Sequence, residues 1–258
     1  MQSSRPDKRL LGKTILVAED VEMNQHLLCH ILESGGARVV IARNGKEALD
    51  YLSKETFDCI LMDIQMPEMD GIEATKKIRL LDNPKLSAIT IIAITANCQP
   101  EDLLKYEEAG MDDYLGKPIE ESNLIEIILS NSKEIPSTDS TVAEDNHLLY
   151  DLAMIHSISG GDNAFIKKMI LLFIETVPSN VKELVDATKH KNWEQVSKMA
   201  HKLKSTIDSM GIRSIHDQIR AVEMNAKNGE HLERMPDMVR QVESVVSVCV
   251  QQLNGEVG

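Results

Sequence analysis

Residues 14–20 read Thr14-Ile15-Leu16-Val17-Ala18-Glu19-Asp20, an apolar run that passes without a break into two carboxylates. Three later segments repeat the pattern. Cys59-Ile60-Leu61-Met62 is followed by Asp63, Ile91-Ile92-Ala93-Ile94 by Thr95, and Tyr114-Leu115-Gly116 by Lys117-Pro118. Apolar runs of this length, separated by segments of helical period, are the pattern of parallel strands buried on both faces. In an open α/β sheet the ligand site lies beyond the carboxyl ends of the strands. Three carboxylates, a hydroxyl and an ammonium from distant stretches are therefore expected on one rim, a set suited to a divalent metal and a phosphoryl group.

Outward from these segments, residues 14–131 alternate strand and helix. Strands are expected near 14–18, 38–42, 58–62, 89–94 and 112–115, with helices near 22–34, 45–54, 71–81, 99–109 and 120–131. Five such units predict a doubly wound five-stranded parallel sheet of flavodoxin-like type, with helices on both faces. Residues 132–147 (SKEIPSTDSTVAEDNH) are poor in apolar side chains and read as a flexible linker. From Leu148 the strand pattern stops. Helical segments near 149–158, 163–190, 193–209, 213–227 and 231–253 predict an antiparallel four-helix bundle, with Pro178 kinking or splitting the second of them. The expected division is an N-terminal extension 1–12, an α/β domain 13–131, the linker 132–147 and an all-α domain 148–258.

Charge excludes one class of function. The chain carries a net charge of −13, and its first 131 residues hold 14 basic against 23 acidic side chains. Neither half offers the basic footprint of a nucleic-acid binder. Aromatics at 3% also argue against base-stacking platforms. Cys29, Cys59, Cys98 and Cys249 form no C-x-x-C pair and read as reduced thiols. The basic start is not followed by a signal-type apolar stretch, and no run approaches the ~20 apolar residues of a membrane span. A cytoplasmic location is expected.

Glu19, Asp20 and Asp63 would repel one another in a shared pocket unless a cation neutralises them, and Mg²⁺ with oxygen ligands does so. A carboxylate there can attack phosphorus and form an acyl phosphate. Lys117 would contact one phosphoryl oxygen as a point charge, and Thr95 would donate to another. Dehalogenase-type phosphatases also use an aspartate after a strand but need a second one two residues on; Gln65 stands there. The stretches VAEDVEMNQ (17–25), LMDIQMPEMDGIEA (61–74), ITAN (94–97) and DDYLGKPI (112–119) resemble the receiver domain of two-component response regulators and hybrid histidine kinases. The resemblance implies that Asp63 is the phosphoacceptor and that Asp20 binds Mg²⁺ directly, with Glu19 assisting through water. It adds the Gln65 backbone carbonyl as a ligand, a cis Lys117-Pro118 bond, and switch roles for Thr95 and Tyr114. The competing reading of Tyr114 is a half-buried strand tyrosine with a wet hydroxyl. Receivers meet their partners through the first helix, which nominates Met23, Asn24, Leu27 and Leu28, although packing onto the sheet accounts for the same residues.

In the second half, Val196, Ala200, Leu203 and Ile207 form one apolar stripe of a helix, and His201 points roughly 130° away from its centre. His201 is thus expected to be exposed, beside Glu194, Ser197, Ser205 and Asp208. Its imidazole is a competent nucleophile toward phosphorus, and Lys204, one turn on, can donate to a phosphoryl oxygen. The stretch NWEQVSKMAHKLKSTIDSMGI (192–212) resembles the active helix of histidine phosphotransfer (HPt) domains through Ala200, His201, Leu203, Lys204 and Gly211. Ser205 departs from the family's small glycine.

These readings combine into a two-module phosphorelay protein. Asp63 takes a phosphoryl group from a histidine kinase or its phosphorylated domain, and His201 exchanges it with receiver aspartates, passing it to a downstream response regulator. The Asn-rich and Gly-rich boxes of an ATP-binding kinase module are missing, so the chain is expected to be a transfer intermediate, free-standing or part of a hybrid kinase. The alternative is a phosphorylation-switched binding module in which Asp63 alone is used and the helical domain docks a partner. Contact with nucleic acid or membrane is not expected.

Overall fold

The computed structural model describes residues 8–96, 99–130 and 149–257. The chain divides into two compact units, Met1–Thr138 and Asp139–Gly258. The linker expected at 132–147 lies outside the described residues.

The first unit is built on five parallel strands in the order β2-β1-β3-β4-β5: β1 (Thr14–Ala18), β2 (Arg38–Ala42), β3 (Cys59–Asp63), β4 (Thr90–Thr95) and β5 (Asp113–Gly116). The expected strands are all present, within a residue or so of the expected ends. Period-2 alternation assigns the two faces. Leu16, Ala18, Ile60, Met62, Ile91 and Ala93 enter one core with Ala48 and Leu52 of α2 (Gly45–Leu52), Ala74 and Ile78 of α3 (Gly71–Arg79), and Tyr106 of α5 (Pro100–Ala109). Their neighbours Ile15, Val17, Leu61, Ile92 and Ile94 are equally buried on the opposite face. That face is left to α1 (Glu22–Ser34) and α6 (Glu121–Ser130). Burying a Leu or Ile side chain contributes about 1.5–3 kcal/mol, so a sheet covered on both faces offsets much of its ordering entropy.

One element escaped the sequence reading. The single turn α4 (Pro84–Ser87) starts on proline and is capped by Asn83, whose side chain accepts from Lys85 N at 3.0 Å. A four-residue helix is too short to show a period. Leu10, inside the expected 1–12 extension, is fully buried, and its amide donates to Gly35 O at 2.8 Å.

The second unit opens with α7 (Ala153–Ser159) and continues with α8 (Asn163–Lys189), α9 (Trp193–Ser209), α10 (His216–Asn228) and α11 (Met235–Val257). Contacts run α8 to α9, α9 to α10, α10 to α11 and α11 back to α8, which is the ring of a four-helix bundle. Short connections between consecutive helices make the neighbours antiparallel. Of the two outcomes expected at Pro178, the split does not occur: α8 runs unbroken through it. The proline sits on the exposed side of the helix, where water can satisfy the carbonyl that loses its amide partner. The packed residues Phe173, Val177, Val181 and Leu184 hold the turns on either side.

Candidate functional site

Glu19 and Asp20 follow β1 and Asp63 ends β3, so all three sit where the strand order reverses. One oxygen from each lies within 4.8 Å of the others. Lys117, just past β5, reaches back between two of them: its Nζ donates to Glu19 Oε2 at 2.8 Å and to Asp63 Oδ2 at 2.7 Å. The Lys117 side chain is 6% exposed. Its backbone is fixed by Lys117 N donating to Thr95 O at 2.7 Å, and the bond to Pro118 is cis. The free oxygens are held too. Glu19 Oε1 accepts from Val21 N at 3.0 Å, and Asp63 Oδ1 from Gln65 N at 3.3 Å.

The electrostatics follow from burial. Loss of water and the nearby charge of Asp63 together push the Glu19 carboxyl up to about 8, with Lys117 offsetting only part of the rise. Burial alone would lower the Lys117 ammonium, but Asp63 and Glu19 hold it above the usual lysine range. Three acids facing one amine leave an excess of negative charge, and oxygen donors in that arrangement match a hard divalent cation.

α3 packs unusually close to the rim. A Cβ built on Gly71 would lie 2.2 Å from the Asp63 carbonyl oxygen. Glycine lets the start of α3 sit against the end of β3, with Gly71 N donating to Ile64 O at 3.0 Å. Asp70 caps the helix by accepting from Glu73 N at 2.8 Å.

A second cluster lies on the seam between α9 and α10. His201 Nδ1 is 2.8 Å from Glu223 Oε1, and Lys204 Nζ donates to Glu223 Oε2 at 2.6 Å. Glu223 is partly desolvated, which would raise its carboxyl, yet the bond to His201 and the charge of Lys204 bring it down to about 2. Glu223 is therefore a carboxylate that accepts, so His201 Nδ1 carries a proton. The ring's Nε2 is buried and has no hydrogen-bond partner.

Two family models match the chain: the response regulator receiver domain over residues 15–129 and the Hpt domain over 168–246. The polar-differentiation response regulator DivK of Brucella anthropi is 38% identical over 120 residues, covering 46% of this chain and 96% of DivK. The chain belongs to the receiver family and carries an Hpt domain behind the receiver. The signal transduction histidine-protein kinase BarA of Escherichia coli strain K12 is 27% identical over 252 residues, 94% of this chain. The chain spans only 27% of BarA's length. Among solved structures, the magnesium-bound receiver domain of the sensor histidine kinase PA1611 from Pseudomonas aeruginosa PAO1 is 37% identical, covering 45% of this chain and 94% of that one, with a TM-score of 0.43.

Several expectations for the receiver need correction. Met23, Asn24, Leu27 and Leu28, nominated as a docking face, are all buried. They lie on the inward side of α1, and its outward side carries Glu22, Gln25, His26, Cys29 and His30. Apolar character at helical spacing reported the core, not a partner. Tyr114 is not half-buried but lies exposed on β5. Thr95 is buried at the end of β4 with its hydroxyl 3.0 Å from that of Tyr106, a residue the sequence reading passed over.

In the Hpt unit His201 is not fully exposed. Its side chain retains 12% of its surface, and Ser205, expected outside, is buried. The helical wheel placed α9 against one neighbour, whereas the bundle gives it two, α8 and α10. Lys204, expected to donate to a phosphoryl oxygen, is buried and engaged by Glu223. Glu223 itself, 22 residues from His201, carried no local signal that could have singled it out. Among the described residues no helix is long and apolar enough to cross a membrane.

Proposed function

We propose that the chain relays a phosphoryl group between a carboxylate of its receiver and an imidazole of an Hpt domain. The observation that carries this reading is Lys117 bridging Glu19 and Asp63 beside a third carboxylate, at the carboxyl edge of a parallel sheet. Asp63 attacks phosphorus on a donor phosphohistidine; the new O–P bond forms as the N–P bond breaks, and the donor imidazole recovers its lone pair. Lys117 shifts from the Asp63 carboxylate to a phosphoryl oxygen and neutralises charge there. Thr95 donates to a second phosphoryl oxygen. Glu19, Asp20, Asp63 and the Gln65 carbonyl would hold Mg²⁺, which supplies further charge neutralisation.

In the Hpt step, His201 Nε2 attacks the phosphorus of a receiver acyl phosphate, and the aspartate leaves as a carboxylate. Glu223 keeps a proton on Nδ1, which in the neutral ring leaves the lone pair on Nε2. Because Nε2 is buried, transfer requires the ring to turn outward. The upstream partner is a histidine kinase or its phosphorylated domain, and the downstream partner a response regulator receiver.

A second reading draws on that same burial: His201 is inert, and phosphorylation of Asp63 alters only a docking surface. Labelled phosphate from a cognate kinase separates the two. The relay predicts acid-labile label on His201 that is lost in Asp63→Ala, and transfer to a downstream regulator that is lost in His201→Gln. Unchanged transfer from His201→Gln would favour the binding module.

A further inference from the structure

The Thr95 hydroxyl has a partner on α5. Tyr106 projects from α5 into the core on one face of the sheet, 5% exposed, and brings its hydroxyl to 3.0 Å from Thr95 Oγ1. This tyrosine is distinct from Tyr114, the exposed aromatic on β5 at the switch position. The Tyr106 side chain packs among the apolar side chains of that core.

A threonine hydroxyl has one proton to give and two lone pairs to receive. If Thr95 donated to Tyr106, its only proton would be spent inside the core. If Tyr106 donates, the threonine proton stays available for an oxygen at the rim. A phenol is the more acidic of the two hydroxyls and the better donor. A donor chain also strengthens itself, because a hydroxyl that accepts a hydrogen bond becomes a stronger donor in turn. We infer that Tyr106 is a positioning residue for phosphoryl binding: it donates to Thr95 Oγ1, orients that hydroxyl, and leaves its proton for a phosphoryl oxygen on Asp63. The inference rests on Asp63 being the phosphoacceptor.

Beryllofluoride with magnesium, titrated into the full chain, stands in for the phosphoryl group. Tyr106→Phe keeps the ring and deletes one hydroxyl, and it should weaken beryllofluoride binding by about three- to tenfold, the range for one hydrogen bond. In a Thr95→Val background the same substitution should have no further effect, whereas a purely structural tyrosine would give additive losses. A second measurement needs neither magnesium nor ligand. The Raman ring doublet of tyrosine differs between a phenol that donates and one that accepts. The difference spectrum of wild type against Thr95→Val should show a donor phenol lost, even if Tyr106→Phe fails to fold. Equal or tighter beryllofluoride binding by Tyr106→Phe, additive losses, or an acceptor signature would overturn the inference. A wild-type chain that binds no beryllofluoride overturns the phosphoacceptor reading instead, and the Raman arm still decides the role of Tyr106.

Discussion

At the residue scale, Glu223 is the hub of the polar cluster in the Hpt unit. It accepts from His201 with one oxygen and from Lys204 with the other. Glu223→Gln removes the charge that holds the Nδ1 proton, and a charged hydrogen bond contributes about 1.5–3 kcal/mol. Phosphorylation of His201 by a phosphorylated receiver should slow by about ten- to a hundredfold, measured as the rate of label transfer. The same carboxylate predicts a pH dependence of stability. Its value in the folded chain, about 2, lies below the ordinary 4.5, so the unfolded chain binds the proton more readily. The stabilisation is complete above about pH 5 and drains as pH falls through the ordinary value toward the depressed one. Thermal denaturation of the second unit should therefore flatten below about pH 5 in Glu223→Gln. Unchanged acid sensitivity would mean that other carboxylates govern it. None of this was legible in the sequence, because the partner of a helical histidine lies on another helix.

Close approaches and helix interruptions act at the scale of elements. Gly71 lets α3 begin against the Asp63 carbonyl oxygen. Gly71→Ala must separate the two and should cost about 1–3 kcal/mol, as overpacking does. It should also weaken beryllofluoride binding, because the displaced backbone carries Asp63. Denaturant melts of the first unit, read beside ligand titration, check both effects. Pro178 is a contrasting case: the helix tolerates it on an exposed face, and Pro178→Ala restores an amide donor. That change should stabilise the second unit by about 1–3 kcal/mol, seen as a raised denaturation midpoint. The strands and long helices were readable because their apolar periods are strong. The docking face nominated on α1 failed for the same reason, since a period in apolar residues marks whatever buries them. The α9–α10 seam was not readable: Arg220 reaches Asp208 at 3.1 and 2.7 Å from its two terminal nitrogens, and Glu223 takes up His201 and Lys204. These pairs cover a face that looked exposed on α9 alone.

For the molecule as a whole, the two units carry separate cores, one around a sheet and one within a helical bundle. Calorimetry of the full chain should resolve two transitions, and magnesium with beryllofluoride should raise only that of the receiver, because a ligand stabilises the state that binds it. A rise in both would mean that the units fold as one. The sequence by itself determined the strand order of chemistry along the chain, the sheet class, the bundle, and the identity of Asp63, Thr95, Lys117 and His201 as the residues to watch. Those follow from short-range signals: apolar runs, their periods, and polar residues placed where the runs end. Only the tertiary structure decided that Lys117 bridges Glu19 to Asp63, that Tyr106 meets Thr95, and that Glu223 claims both His201 and Lys204. Each of those contacts joins side chains on different elements, and their spacing depends on how the elements pack.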